Sequence, residues 1–319
     1  MTLTQIAKEA HVSVSTASKA FSGSTEVNEE TRELVFQIAK KHGCFKKFYN
    51  AKYPKLVIAV IAPEFSSMYY SRYLALIQKN LHNCELCVST YNFSKDCQGE
   101  LIDYYYKHAN VDGIILIDPI AELEQPMEIP TVVLHNNFKS ANTAVSVRLQ
   151  EALTEALDYL KSAGVTAIGF IGEGNTKTKE RLFREAMTEA GLPIHDHYIL
   201  RTTTRFEEGG YQAITALIAQ GPLPRALICG YDYMAIGAIR CLKDHGYRVP
   251  EDVAILGMDD LPEAKYLDPP LASISAVPEA RCRIAAEAML KIINGEEAQK
   301  NIVIPAKFHN RESFSVHNV

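Results

Sequence analysis

At 319 residues the chain is longer than one hydrophobic core usually organises, which forecasts two or three folding units. Hydrophobic residues make up 47% and charged residues 22%, a balance that excludes wholesale disorder. The net charge of −5 is unevenly spread: the first 52 residues hold eight bases against five acids (+3), the remainder 25 against 33 (−8), so a basic segment precedes an acidic body.

No apolar run approaches a membrane span, and the opening Met1-Thr2-Leu3-Thr4-Gln5-Ile6 lacks the pattern of a secretory signal, so a cytoplasmic protein with no membrane partner is expected. Seven cysteines at irregular spacing fit a reducing compartment. Cys84-x-x-Cys87, with Cys97 nearby, lacks a second ligand pair and sits in a strand-like alternation (Cys84, Leu86, Val88), so neither a metal nor a cofactor is expected.

In chain order, Thr4 is placed to cap a short helix with Ile6, Ala7 and Ala10 on one face. A tight connection through His11-Val12-Ser13 leads to a second helix, about Val14 to Ser22, with Ala17, Ala20 and Phe21 inward and Ser15, Thr16, Ser18 and Lys19 outward; Gly23 ends it. Val27 and Asn28 start a third helix whose apolar repeat is Leu34, Val35, Ile38 and Ala39, and Gly43 stops it. Three short helices with a tight turn between the first two follow the helix-turn-helix plan; the bland alternative is a small helical cap.

From Lys55 onward, strand-like runs (Leu56 to Ala62, Gly113 to Ile117, Thr131 to Leu134, Ala167 to Ile171, Ala226 to Cys229, Val253 to Leu256) alternate with helical segments, which implies parallel sheets in an α/β body. Ligands of such sheets sit beyond the carboxyl ends of the strands. Gly169-x-x-Gly172-x-Gly174 does not hold dinucleotide spacing and reads as a tight strand-to-helix turn.

The string Leu3-Thr4-Gln5-Ile6-Ala7-Lys8-Glu9-Ala10-His11-Val12-Ser13-Val14-Ser15-Thr16-Ala17-Ser18-Lys19, continued by Val27-Asn28-Glu29-Glu30-Thr31-Arg32, closely resembles the reading head of the LacI (lactose-repressor) family. The body resembles the same family through Tyr231 to Ala238, Val249 to Val253, Gly257-Met258-Asp259-Asp260, Pro269-Pro270-Leu271, and Ile304-Pro305-Ala306 to Arg311-Glu312-Ser313, so the likeness covers nearly the whole chain. The resemblance implies a head at residues 1–44, a linker at 45–54, and a periplasmic-binding-protein-like sensor at 55–319. Its two Rossmann-like lobes would be about 55–147 with 278–305, and about 148–277 with 306–319, with three crossings between them.

The resemblance also implies roles for individual residues. Val14, Ser15 and Lys19 would read bases of a double-stranded operator, while Thr16, Ser18, Thr4 and Asn28 at the helix starts would meet phosphates; phosphate contacts position and base contacts specify. Lys19 stands where the family usually has arginine, a point charge in place of a planar fork. The linker lacks the family's Tyr-x-Pro-Asn start and its wedging leucine; Phe48 or Tyr49 either replaces the wedge or packs on the body.

Tyr69, Tyr70, His135, Arg181, Tyr231, Asp259 and Pro278 would line the ligand cleft, with Arg181 and Asp259 gripping vicinal hydroxyls and aromatic rings covering sugar faces. His135-Asn136 and Tyr231 depart from the family's usual residues, which leaves a sugar, a glycoside or a nucleobase open as effector. The expected protein is a homodimeric transcriptional regulator and not an enzyme, since the sequence holds no nucleophile elbow, zinc-protease helix or P-loop. Two rivals stand beside it: a sensor that no longer binds operator DNA, and a glycosidase or nucleosidase using Asp259 and Asp260, whose adjacent carboxylates in a turn do not meet the facing geometry of hydrolysis.

Overall fold

Apolar residues at helical spacing fold the start of the chain into α1 (Leu3–Glu9), α2 (Val14–Ser22) and α3 (Glu29–Lys41) in a computed structural model that describes residues 1–22, 24–49, 56–107, 111–121, 123, 125–135 and 140–316. Ile6, Ala7 and Ala10 meet Ala17, Ala20 and Phe21 of α2 and Val35, Ile38 and Ala39 of α3 in one small core. The cap of α1 is Thr2, not Thr4: Thr2 and Gln5 bond each other's backbone N–H reciprocally, and this pairing moves the helix start forward and leaves Thr4 exposed inside the first turn. Leu34 is 45% exposed, so it is not part of the inward face; Phe36 takes that place against Phe21.

A short α4 (Phe45–Tyr49) follows. Phe48 lies 5.4 Å from Phe21, and Tyr49 meets Phe36 edge-on at 5.4 Å, so both rings pack on the head. Gly23, Asn136 and linker residues 50–55 lie outside the described residues.

The body holds two six-stranded sheets. Its elements run β1 (Val57–Ala62), α5 (Met68–Asn80), β2 (Glu85–Thr90), α6 (Lys95–Lys107), β3 (Gly113–Ile117), β4 (Thr131–His135), β5 (Thr143–Arg148), α7 (Gln150–Ser162), β6 (Ile168–Gly172), α8 (Lys177–Glu189), β7 (Ile199–Arg201), α9 (Phe206–Gln220), β8 (Ala226–Cys229), α10 (Asp232–Asp244), β9 (Ala254–Met258), β10 (Ala272–Ser275), α11 (Pro278–Ile293), β11 (Asn301–Pro305) and β12 (Lys307–His309).

Sheet one has the order β11-β5-β4-β3-β1-β2 and is parallel throughout. Sheet two has the order β12-β10-β9-β8-β6-β7, parallel except where β12 runs against β10. The chain passes between sheets after Arg148, Ser275 and Pro305. Helices cover the central strands on both faces, which is why β3, β4, β6 and β9 are buried along their length and read as unbroken apolar runs.

The strand runs legible in the sequence are these central ones. Edge strands β7, β11 and β12 are short or half-exposed and carry no comparable apolar run. One close approach fixes the shape of lobe two: a Cβ at Gly237 of α10 would strike the backbone carbonyl of Glu207 in α9, so only glycine lets the two helices sit this close. Their N-terminal ends, with Phe206 and with Tyr231 and Tyr233, are thereby brought to the mouth between the lobes.

Candidate functional site

Two surfaces stand out, the outer face of α2 and the cleft between the sheets. On α2, Val14, Ser15 and Ser18 are exposed, while Thr16 is half-buried and shares its hydroxyl with Ser13 at 2.8 Å. Lys19 pairs with Glu26; both side chains are well exposed, so water screens the pair and the lysine can exchange it for another anion. Behind α2, Arg32 donates to the carbonyls of Ser24 (2.9 Å) and Val27 (3.1 Å), and Asn28 Oδ1 accepts from Thr31 N at 2.8 Å to cap α3. Thr4, Ser15, Ser18 and Asn28 lie on the head's exposed surface.

The cleft, of about 350 Å³, opens beyond the carboxyl ends of both sheets. Lobe one supplies Tyr69 and Tyr70 from α5, Asp118 after β3 and His135 at the end of β4; lobe two supplies Glu173 after β6, Lys179 from α8, Arg205 and Phe206 at the start of α9, Tyr231 and Asp259. Its walls touch directly: Met68 N donates to Tyr233 Oη at 3.2 Å, Arg72 donates to the Asp260 carbonyl at 2.6 Å, and Arg205 pairs with Glu64 at 3.2 Å while lying over the rings of Phe93 and Phe206.

Asp259 reaches the cleft because its loop is turned by a buried neighbour. Asp232 accepts from Leu261 N (2.7 Å) and from Ser273 Oγ (2.6 Å), and Asp259 and Asp260 take positive φ of 134° and 53°. Lys179 Nζ donates to Asp259 Oδ1 at 3.1 Å and to the Gly230 carbonyl at 2.7 Å. Burial pushes the Asp259 carboxyl up to about 6 against the opposing pull of Lys179, and pushes Asp232 up to about 7. Asp118 is also raised by burial, with Arg281 and Lys179 and the hydroxyls of Tyr69 and Tyr70 pulling the other way. Burial and the charge of Arg281 hold His135 down at about 4, so its imidazole is neutral near pH 7.

Of the residues the sequence singled out, Tyr69, Tyr70, His135, Tyr231 and Asp259 line this cleft. Arg181 does not: it is exposed, pairs with Glu185 at 2.7 Å, and lines a separate surface groove with Arg184 and Arg201. The reason is helical register. Two positions on an α-helix are about 200° apart, and the inward face of α8 is Leu182, Phe183 and Ala186, which puts Lys179 inside and Arg181 outside. Pro278 does not line the cleft either; it is buried at the first position of α11, where its fixed φ suits a helix start.

Sequence reasoning passed over Asp118, Glu173, Lys179, Arg205 and Arg281. Lys179 was legible from the spacing of Leu182, Phe183 and Ala186. Arg281 is fully buried under the cleft, donating to Tyr73 Oη at 2.7 Å and to the His135 carbonyl at 3.1 Å, contacts between residues far apart in the chain. Among the described residues, no cluster of three or more His, Cys, Asp or Glu side chains has metal-binding geometry, and no helix is long and apolar enough to cross a membrane.

A reading head and a two-lobed sensor define a ligand-responsive regulator of transcription. Residues 2–44 match the family model for bacterial regulatory proteins of the lacI family, and residues 157–314 match that for a periplasmic binding protein-like domain. The chain is 30% identical to the ribose operon repressor of Haemophilus influenzae over 98% of both chains. It is 28% identical to the transcriptional repressor CytR of Escherichia coli (strain K12), covering 93% of this chain and 90% of that one. A LacI-type transcription regulator from Bifidobacterium animalis subsp. lactis shares the fold with a TM-score of 0.72 at 22% identity, over 82% of this chain and all of the other. The chain belongs to the LacI family of transcriptional regulators.

Proposed function

We propose that two copies of the chain pair through their bodies and repress transcription at a near-palindromic operator, with a small ligand in the inter-lobe cleft setting the affinity. Val14, Ser15 and Lys19 of α2 read base edges in the major groove, and Thr16, Ser18, Thr4 and Asn28 meet phosphates. The ligand is a sugar or a related ring, held by Asp259 and Lys179 and covered by Tyr69, Tyr70 and Tyr231.

The observation that carries this reading is the cleft itself: its two walls belong to different lobes yet touch through Arg205 and Glu64, Tyr233 and Met68, and Arg72 and Asp260. A ligand seated there interacts with both walls at once. It therefore binds closed and open states differently, the requirement for coupling to DNA, typically about 1–3 kcal/mol.

Selection of duplexes from a random pool by the full-length chain, with and without a sugar and nucleoside panel, tests the proposal. Recovery of a two-fold symmetric site whose retention changes with one panel member supports it; retention of unenriched DNA under every condition overturns it.

A further inference from the structure

Resting on that reading of the cleft, we infer that its ligand is a ring bearing a hydrogen-bond-donating amino group and no phosphate or carboxylate, and that Glu173 receives the amino group.

Three carboxylates in the cleft, Asp118, Glu173 and Asp259, face two cations, Lys179 and Arg205. Lys179 is engaged by Asp259 and the Gly230 carbonyl and the terminal nitrogens of Arg205 by Glu64, while the buried Arg205 Nε has no partner among the described residues. An anionic ligand would find the free N–H of Arg205 Nε but would lie beside three carboxylates, whereas a neutral or cationic donor meets those carboxylates without displacing an ion pair.

Glu173 is the distinctive acceptor. It is only 7% exposed, and its Oε2 accepts from Asn175 N at 3.0 Å, while Oε1 is buried with no hydrogen-bond partner among the described residues. Such an atom costs free energy unless a donor reaches it. On the opposite wall, Ser67 is equally buried; it starts α5 without using its hydroxyl as a cap, and its Oγ likewise has no partner. These two atoms belong to different lobes, so a ligand that bonds both ties the lobes together. Aromatic side chains around them, Tyr69, Tyr70, Phe93 and Phe206 among them, suit the flat or apolar face of a ring.

An amino sugar and an aminated nucleoside share this chemistry, and matched probes separate them. Calorimetry on the full-length chain would compare glucosamine with glucose and adenosine with inosine, together with glucosamine 6-phosphate and adenosine monophosphate. In one of the two pairs the amino member is expected to bind about tenfold more tightly than its partner, and its phosphorylated form about tenfold more weakly than itself. Glu173→Gln retains an oxygen for Asn175 N and is expected to remove most of the amino preference. Tighter binding of a phosphorylated probe, an amino preference unchanged by E173Q, or no heat from any unphosphorylated probe overturns the inference. Duplex selection on the same preparation separates the two failures: a recovered operator with a failed panel sinks only the amino-ring assignment, and no operator sinks the reading beneath it.

Discussion

Removing the Lys179 ammonium isolates what the buried ion pair does. Its Nζ is shared between Asp259 Oδ1 and the Gly230 carbonyl, and both charged side chains are less than one-fifth exposed. In Lys179→Ala, Asp259 has an escape: it takes up a proton. That limits the cost. With the lysine present the Asp259 carboxyl titrates at about 6, so keeping it neutral at about pH 7.5 costs about 1.4 kcal/mol per pH unit above that value, or about 2 kcal/mol. The lost bond to Gly230 adds about 1 kcal/mol, giving about 3 in all. Near pH 5, Asp259 already holds its proton in the wild type, and only the Gly230 share of about 1 kcal/mol should remain. Urea titrations of wild type and variant at both pH values read this difference directly. A destabilisation of equal size at the two pH values would refute the assignment of Asp259 as the group that the lysine holds ionised.

Other predictions follow from the same structure. Lys19→Ala should lose roughly 1–3 kcal/mol of discrimination between selected operator and random DNA in gel shift, and equal retention of both affinities would remove Lys19 from the reading set. Gly237→Ala should destabilise lobe two by about 1–3 kcal/mol or more, because the new methyl meets a backbone carbonyl that cannot rotate away, and a wild-type thermal midpoint would contradict the packing described for α9 and α10. The pH profile carries a further test. Asp232 titrates at about 7 in the fold against 3.8 as its ordinary value, so the native state holds a proton there that the unfolded chain has lost, and its contribution to stability falls as pH rises from about 4 to about 7. Asp252, held down at about 2 by Arg248, acts oppositely and contributes stability that is lost as pH falls through about 4 to 2. Melting temperature should therefore decline from mildly acidic to neutral pH in wild type, with a flatter decline in Asp232→Asn; parallel curves would remove Asp232 as the source.

The linear chain alone determined the architecture. Apolar runs as short as Gly113 to Ile117 suit strands buried on both faces, and their alternation with helical stretches implies parallel sheets, so the α/β class was legible. The head was legible for a similar reason, since Ala17, Ala20 and Phe21 recur at the period of a helix and leave the intervening residues outside. Capping was less so: Thr2 and Thr4 are equal candidates by type, and only the reciprocal bond with Gln5 separates them.

The composition of the cleft was decided by tertiary structure. Arg205 meets Glu64 across 141 positions, and Arg281 meets Tyr73 across 208, and no local pattern encodes such meetings. Arg181 and Lys179 are both cations two positions apart, yet the burial of Leu182, Phe183 and Ala186 sends one to solvent and the other to Asp259. Local periodicity specifies which side of an element is apolar because burial free energy acts residue by residue; which polar groups share a desolvated space depends on how whole lobes are set against each other, and that is fixed only when the chain has folded.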